Sequence, residues 1–377
     1  MKILHVIDKL SMDGTNPSSC TILFGGWARS MAGPNCEFEV LSLAQDQQIG
    51  DYLRERGIKD FYISSPRYSP KIIGEICKLI AERNIDIVHL HGYGAAHFGR
   101  IAARRSGVKN VVHEHAALKV KPQHYLLDWL LREKTDIAVA VSENVREFMI
   151  KGRNIPADRI RVIGNGVDLA RFREKTPTSI REARNLIEVG PDVPLIGTVT
   201  RFREEKGNEF LIAAFEQVRS RFSDARLIVI GDGELRESLH RLAGQRNIGD
   251  AVHWLGFRSN LEQLMPAFDV HVIPSLTEGF PLALAEGMSV GNAMVVTEVG
   301  GMKEIGSDRE NLLFVPSRDS AAIAEACVSL LENRQFAQKL AHNARRSAES
   351  MSIDQCAKHI VNVYRELMSG SVGGSES

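Results

Sequence analysis

The sequence predicts an α/β protein built as two doubly wound parallel-sheet domains, and three observations carry that prediction. Its 377 residues exceed what one hydrophobic core ordinarily serves, so two domains of about 150–200 residues are expected. Short, near-continuously apolar β-branched runs alternate with amphipathic stretches of helical length, the pattern of strands buried on both faces and their crossover helices. A polar stretch from Asp168 to Pro194, with Pro177, Gly190, Pro191 and Pro194 around one helical segment, separates two such series.

Taken in order, the strands of the first half are read in "KILHVI", "FEVLSL", "IDIVHLH", "NVVHEH", "DIAVAVS" and "RIRVIGNGV". Those of the second are "LIGTVTR", "RLIVIGDG", "AVHWLGF", "DVHVIPS", "AMVVTEV" and "LLFVP", its sheet beginning at Leu195. The expected domains are 1–170 and 171–352. A helix over about 353–369 is expected to pack back onto the first, and "SGSVGGSES" at the C-terminus, with 370–377 as the expected tail, has the composition of a flexible segment. No repeat of solenoid period interrupts the plan.

Composition excludes several classes. Lys plus Arg equals Asp plus Glu at 47 each, so no global basic field marks a nucleic-acid binder. The five cysteines are scattered and contain no C-x-x-C pair, which reads as reduced thiols instead of a disulfide frame or zinc knuckle. The N-terminal "MKILHVIDKL" enters a strand at once, with an apolar run too short for a signal peptide or a membrane span, so a cytoplasmic location is expected.

In open α/β sheets ligands sit beyond the carboxyl ends of the strands, so the residues that follow strands matter most. "DVHVIPSLTEGFPLALAEG" gives a strand ending near Pro274, a loop carrying Glu278 and a helix starting around Pro281. The main-chain N–H groups of Gly279, Phe280, Leu282 and Ala283 would form an anion site reinforced by the helix dipole. Glu286, on that helix, would reach the same ligand from the side, because a carboxylate can accept two hydroxyls of a vicinal diol. A bland alternative has Glu278 as a cap and Glu286 as a solvated surface group. In "GTVTRFREEKG", Arg201 follows a strand and Lys206 precedes a helix, and two cations aimed at one cleft suit a diphosphate. No D-x-D pair occurs, which fits a metal-free arrangement, with no cofactor beyond the ligand itself.

Together the segments "TRFREEKG", "VIGDG", "HWLGF", "VIGNGVD" and "DVHVIPSLTEGFPLALAEGMSVGNAMVVTEVGG" resemble the signature of glycosyltransferase family 4, the retaining nucleotide-sugar transferases of GT-B fold. The E-x₇-E spacing from Glu278 to Glu286, followed by Gly300, Gly301 and Glu304, is its most specific part. The resemblance implies two facing Rossmann-like domains with a cleft between them. It also implies that Glu286 binds the ribose hydroxyls, that Glu278 lies against the transferred sugar, and that the amides of Gly279, Phe280, Pro281's successor Leu282 and their neighbours bind sugar and phosphate. Arg201 and Lys206 would hold the diphosphate, and Gly256, Phe257 and Arg258 would border the base. His115 in "VVHEHAAL" matches the histidine that faces the anomeric carbon, and Asp13 and Gly14 match the glycine-bearing loop near the phosphates. One departure is Gly287, where the family often has alanine after the second glutamate; both being small, packing is expected to survive.

The resemblance further implies transfer to a hydroxyl acceptor, lipid-linked in some members, with a phosphate oxygen of the leaving group taking the acceptor proton. Two rivals share the fold: a hydrolysing nucleotide-sugar epimerase and a non-catalytic carbohydrate- or nucleotide-binding protein. The pairs His89-x-His91 and His113-x-His115 also permit a four-histidine zinc site, although packed histidines are the preferred reading of His89 and His113. Residues 1–170 hold 23 Lys and Arg against 19 Asp and Glu. With Arg104, Arg105, Lys109, Lys119 and Lys121 close in sequence, this permits peripheral contact with anionic lipid, the alternative being a solvated charged face.

Overall fold

The structure is a computed structural model that describes residues 1–11, 14–31, 36–66, 68–117, 120 and 122–370, Gln123 by its backbone alone. Asp13, Lys119, Lys121 and the 371–377 tail therefore lie outside the described residues. The chain divides into two compact units, Met1–Gly166 joined by the segment from Ile353, and Val167–Ser352.

The first unit holds seven strands: β1 Lys2–Ile7, β2 Glu37–Ser42, β3 Asp60–Tyr62, β4 Ile87–His91, β5 Lys109–Glu114, β6 Ile137–Ala140 and β7 Ile160–Val162. They form one sheet in the order β3-β2-β1-β4-β5-β6-β7, with every pairing parallel. Its central strands bury almost every residue, β4 all five, which is why they read as apolar runs and not as alternating ones. The order reverses between β1 and β4, a switch point where the crossovers leave to opposite sides. The sequence missed β3, whose three half-buried residues include Asp60 and Tyr62, joined by a 2.6 Å hydrogen bond.

The Ile353–Ser369 helix packs on the Ser19–Ser30 helix. It buries Ile353, Cys356, Ala357, Ile360, Val363, Tyr364 and Leu367, spaced three and four apart as one helical face requires. Polar ties flank that face: Ser30 Oγ donates to Asp354 at 2.6 Å, and Arg161 pairs with Glu366 at 2.5 Å.

The second unit holds β8 Leu195–Val199, β9 Arg226–Ile230, β10 Val252–Gly256, β11 Val270–Ile273, β12 Ala293–Thr297 and β13 Leu313–Val315. Their order is β10-β9-β8-β11-β12-β13, again wholly parallel, with the reversal between β8 and β11. The division from the first unit falls between Gly166 and Val167, earlier than the joint after residue 170 that composition suggested. Val167 and Phe172 explain the difference. Both are buried in the second unit's core, and Val167 N–H donates to Met351 O at 2.8 Å.

Candidate functional site

In the second unit the loops leaving β8 and β11, the two strands at the switch point, are stitched together. Gly207 takes φ +59°, and a Cβ there would lie 2.2 Å from the Pro274 carbonyl oxygen. Leu276 N–H donates to Glu205 O at 2.8 Å. This contact places Lys206, at the end of the turn Glu204–Lys206, against Glu278 of the β11 loop. Lys206 Nζ donates to Glu278 Oε1 at 2.5 Å, and Ser275 Oγ donates to the same oxygen at 2.8 Å.

The backbone of Glu278 is clamped from the other side. Gly300 has φ +51°, with a hypothetical Cβ only 2.0 Å from Glu278 O, and Gly301 N–H donates to that oxygen at 3.1 Å. Any side chain at Gly300 would push Glu278 away, so the Gly-Gly pair serves the carboxylate's position. Glu278 is thus a carboxylate with one oxygen already paired, and a ligand that takes that oxygen must share it with or displace Lys206 and Ser275.

Pro281 caps the helix Leu282–Val290 instead of beginning it; Gly279 and Pro281 are buried, while Phe280 is part-buried. Glu286 lies in the second turn of this helix. It keeps partial solvent contact, but its carboxyl sits among protein atoms, and that desolvation pushes it up to about 7. The positive charge of Arg171 works against the shift and Glu262 adds to it. Arg171 itself is committed to Glu262 through hydrogen bonds of 2.9 and 2.7 Å, and to the Ser259 carbonyl.

Arg201 is part-buried directly after β8, its carbonyl oxygen accepting from Asn208 Nδ2 at 2.8 Å. Gly256 ends β10 at φ +68°, beyond a bulge, and accepts from Gly231 N–H at 2.9 Å; Phe257 is 40% exposed beside it. The structure thus gathers Arg201, Lys206, Glu278 and the amide-bearing segment at the carboxyl edge of β8 and β11, and Gly256 and Phe257 at that of β10.

The packing around Gly287 is tight. An alanine Cβ would stand 2.4 Å from His271 Nδ1 and 2.8 Å from Met294 Sδ, so here only glycine fits without movement of both neighbours. His271 is fully buried on β11 and neither ring nitrogen has a hydrogen-bond partner among the described residues. Burial pushes its pKa down to about 3, with nearby Lys175 adding to the shift.

In the first unit, His5 of β1, His89 and His91 of β4, His113 of β5 and His115 just beyond it project to one side of the sheet. They form a chain. His115 Nε2 meets His91 Nδ1 at 3.0 Å, His91 Nε2 meets His5 Nδ1 at 3.0 Å, and His5 Nε2 meets the Tyr364 hydroxyl at 3.4 Å. Tyr364 then meets His89 Nδ1 at 2.6 Å, and His89 Nε2 meets His113 Nδ1 at 3.0 Å. Trp27 stacks on His89 and His113, and Phe24 meets His5 and His91 edge-on.

Burial holds His5 down to about 3 and His115 to about 4, and lowers His89, His91 and His113 well below the usual range, so the row is neutral. His5, His89 and His91 bring ring nitrogens within 4.8 Å of one another, as do His91, His113 and His115, a spacing a shared cation could use. In the structure ring nitrogens of the row pair with one another and with Tyr364, while His113 Nε2 has no partner among the described residues. Sequence reasoning weighed only the two H-x-H pairs and missed His5 and Tyr364, because a single histidine in "KILHVI" carries no spacing signal. Gly14, with φ +83°, donates its N–H to Ser11 Oγ at 2.9 Å.

Beneath His115 lies a buried ion network. Glu114 accepts from Arg153 at 2.5 Å, Arg153 Nε donates to Asp128 at 2.9 Å, and Arg100 and His97 meet the same aspartate. Two guanidinium groups face two carboxylates, so the cluster is neutral overall. Burial pushes Asp128 up, but His97, Arg153 and Arg100 outweigh it and hold the carboxyl far below its ordinary range.

Two wholly parallel α/β units of this kind make a GT-B fold, and the sequence matches make the protein a glycosyltransferase. The family described as Glycosyltransferase Family 4 matches residues 26–171, and the one described as Glycosyl transferases group 1 matches 179–347. The chain belongs to glycosyltransferase family 4.

An uncharacterized glycosyltransferase of Methanocaldococcus jannaschii is 31% identical over 248 residues, covering 65% of this chain and 63% of that protein. The chain therefore spans just under two thirds of that relative's length. A galactosyltransferase of Escherichia coli, named for UDP-galactose and an N-acetylglucosamine-diphosphoundecaprenol acceptor, is 24% identical and covers 80% of this chain and 82% of its own. Among solved structures, Anabaena HepE in complex with UDP superposes with a TM-score of 0.84 at 21% identity, covering 97% of this chain and 100% of that one. A glycosyltransferase of Rickettsia africae superposes at 0.83 with 20% identity, over 98% and 99%.

Proposed function

We propose that the protein transfers a sugar from a nucleoside-diphosphate sugar, UDP- or GDP-linked, to a hydroxyl acceptor with retention of anomeric configuration and without a metal. The observation that carries this reading is the Lys206–Glu278 pair, clamped by Gly300 and Gly301 at the β8–β11 switch point. It sets a cation for phosphate and a carboxylate for sugar hydroxyls within one hydrogen bond of each other. The Anabaena neighbour bound to UDP, also solved with UDP-glucose, supports a uridine donor. The acceptor of the Escherichia coli relative supports a lipid-linked one.

In this mechanism Glu286 accepts the ribose diol. Arg201, Lys206 and the amides of Gly279, Phe280 and Leu282 stabilise the diphosphate as the anomeric C–O bond breaks and negative charge collects on the leaving oxygen. Glu278 holds the sugar by its hydroxyls, and Gly256 and Phe257 border the base. His115 and the loop at Gly14 act from the first unit, where the neutral imidazole hydrogen-bonds a sugar hydroxyl. A phosphate oxygen takes the acceptor proton, so no protein nucleophile is required.

The test is a thermal-shift screen against nucleoside diphosphates, followed by NMR of the product formed from the matching donor and a hydroxyl acceptor in excess chelator. An α-linked product from an α-linked donor is expected. Inverted product, or activity lost to chelator and restored by manganese, would overturn the mechanism. Free sugar or an epimer formed from donor alone would point to a hydrolysing epimerase.

A further inference from the structure

The Pro122–Leu131 helix of the first unit is built inside out. Its single charged residue, Asp128, is fully buried in the Arg100–Arg153 network, and His124 and Leu131, at i−4 and i+3 from it, turn the same way. The opposite stripe carries Tyr125, Leu126, Trp129 and Leu130, with Leu127 at its edge, and these are 42–57% exposed. They account for five of the ten large hydrophobic side chains exposed among the described residues, all within ten consecutive positions. The buried ion pairs fix the helix with this face outward, because rotating it inward would strand two guanidinium groups.

Basic groups border the stripe. Arg132 lies 4.6 Å over the Trp129 ring, and Lys134 is exposed in the turn that follows. Arg104 and Arg105 are exposed on the last turn of the Tyr93–Ser106 helix, which packs against both the inside-out helix and that turn. The one acidic side chain of the turn, Glu133, is neutralised by Arg159 at 3.0 Å.

We propose that this helix docks the protein on an anionic lipid surface, its leucines entering the acyl boundary, Tyr125 and Trp129 lying at headgroup level and the arginines meeting lipid phosphates. Size and charge favour a bilayer over a second copy of the chain. The stripe offers roughly 400–500 Å², against about 800 Å² per partner in a stable interface. A two-fold contact would also set the basic borders against each other. The proposal is independent of the reaction assigned above.

The test uses the full chain with phosphatidylcholine vesicles containing ~30 mol% phosphatidylglycerol. Wild type should sediment with them, and Trp129 fluorescence should be quenched by brominated acyl chains, a signal absent from Trp129→Phe. Binding should weaken about tenfold or more in Leu126→Ser/Leu130→Ser. Both leucines are exposed, so an unchanged melting profile will show that the fold survives. Leu186→Ser, which alters an equally exposed leucine of the second unit, should bind as wild type. Three results would each overturn the proposal: wild type left in the supernatant at every lipid concentration, the double variant sedimenting as wild type does, or a micromolar dimer in the absence of lipid that the double variant dissociates. Partitioning is read without turnover, so failure here leaves the glycosyl-transfer reading untouched.

Discussion

Glu286 and the histidine row carry opposite pH signatures. The Glu286 carboxyl is raised from 4.5 to about 7, so the stability it allows is present below 4.5 and lost as pH rises through 7. His5 and His115 are lowered from 6.5 to about 3 and 4, so their contribution is present above 6.5 and lost as pH falls toward 4. The proposed ribose contact gives Glu286 a further dependence, since the carboxylate is the form that accepts a diol. Nucleoside diphosphate affinity, followed by calorimetry, should rise across pH ~6 to 8 in wild type. In Glu286→Gln the rise should shrink to that of the ligand's own phosphate ionisation, and affinity at the upper end should be weaker by about 1.5–3 kcal/mol, whereas pyrophosphate should give the same profile on both proteins. A wild-type profile no steeper than that of Glu286→Gln would remove Glu286 from the ribose.

The His115 tautomer follows from the far end of its chain. His113 Nε2 is buried without a partner among the described residues, and an orphaned N–H costs more than an orphaned lone pair. The donors should therefore run from His113 toward His115, leaving His115 with its proton on Nδ1. Imidazole ¹⁵N shifts should show that tautomer, and His91→Phe should abolish the preference by removing the donor to Nε2. In the proposed mechanism His115→Ala lowers kcat by on the order of 10²–10³ with nucleotide affinity unchanged. A near-normal kcat would confine His115 to packing.

At the scale of elements, the strands and their order of types were legible because burial on both faces writes apolar runs directly into the sequence. Twelve strands could be read from such runs; β3, at three residues, is too short and too polar to leave one. The Leu282–Val290 helix that carries Glu286 was legible through its proline and its spacing. Its demand for glycine at 287 was not, because that demand comes from His271 and Met294 on neighbouring strands. Gly287→Ala should cost about 1–3 kcal/mol in urea unfolding, the range for overpacking. The His271→Ala background should relieve part of it, a coupling that distant sites would not show. The inside-out helix escaped sequence reading for a similar reason: "PQHYLLDWLL" looks like a core helix until Asp128 finds Arg100 and Arg153. Removing that carboxylate in Asp128→Ala leaves two buried guanidinium groups with Glu114 alone, and should destabilise the first unit by about 3–5 kcal/mol. A loss under 1 kcal/mol would mean that water already screens the cluster.

For the whole molecule, the governing fact is that the first unit is discontinuous in sequence and the second is not. A chain ended after Ser352 would keep every strand of both sheets yet lose Ile360, Tyr364 and Leu367, side chains at most 2% exposed. Each is worth ~1.5–3 kcal/mol of burial, so their joint loss rivals the ~5–15 kcal/mol stability of a domain. Calorimetry of that truncation should retain one unfolding transition, that of the second unit, and lose the other. Two surviving transitions would show the returning helix to be dispensable. The same discontinuity sets an order of birth. Everything from Val167 to Ser352 is synthesised before the Ile353–Ser369 helix exists, so the later-encoded unit can close while the earlier one still waits for Tyr364 to meet His5 and His89. The unit begun first is finished last, and in that interval its uncovered core is the part of the nascent chain that a chaperone would find.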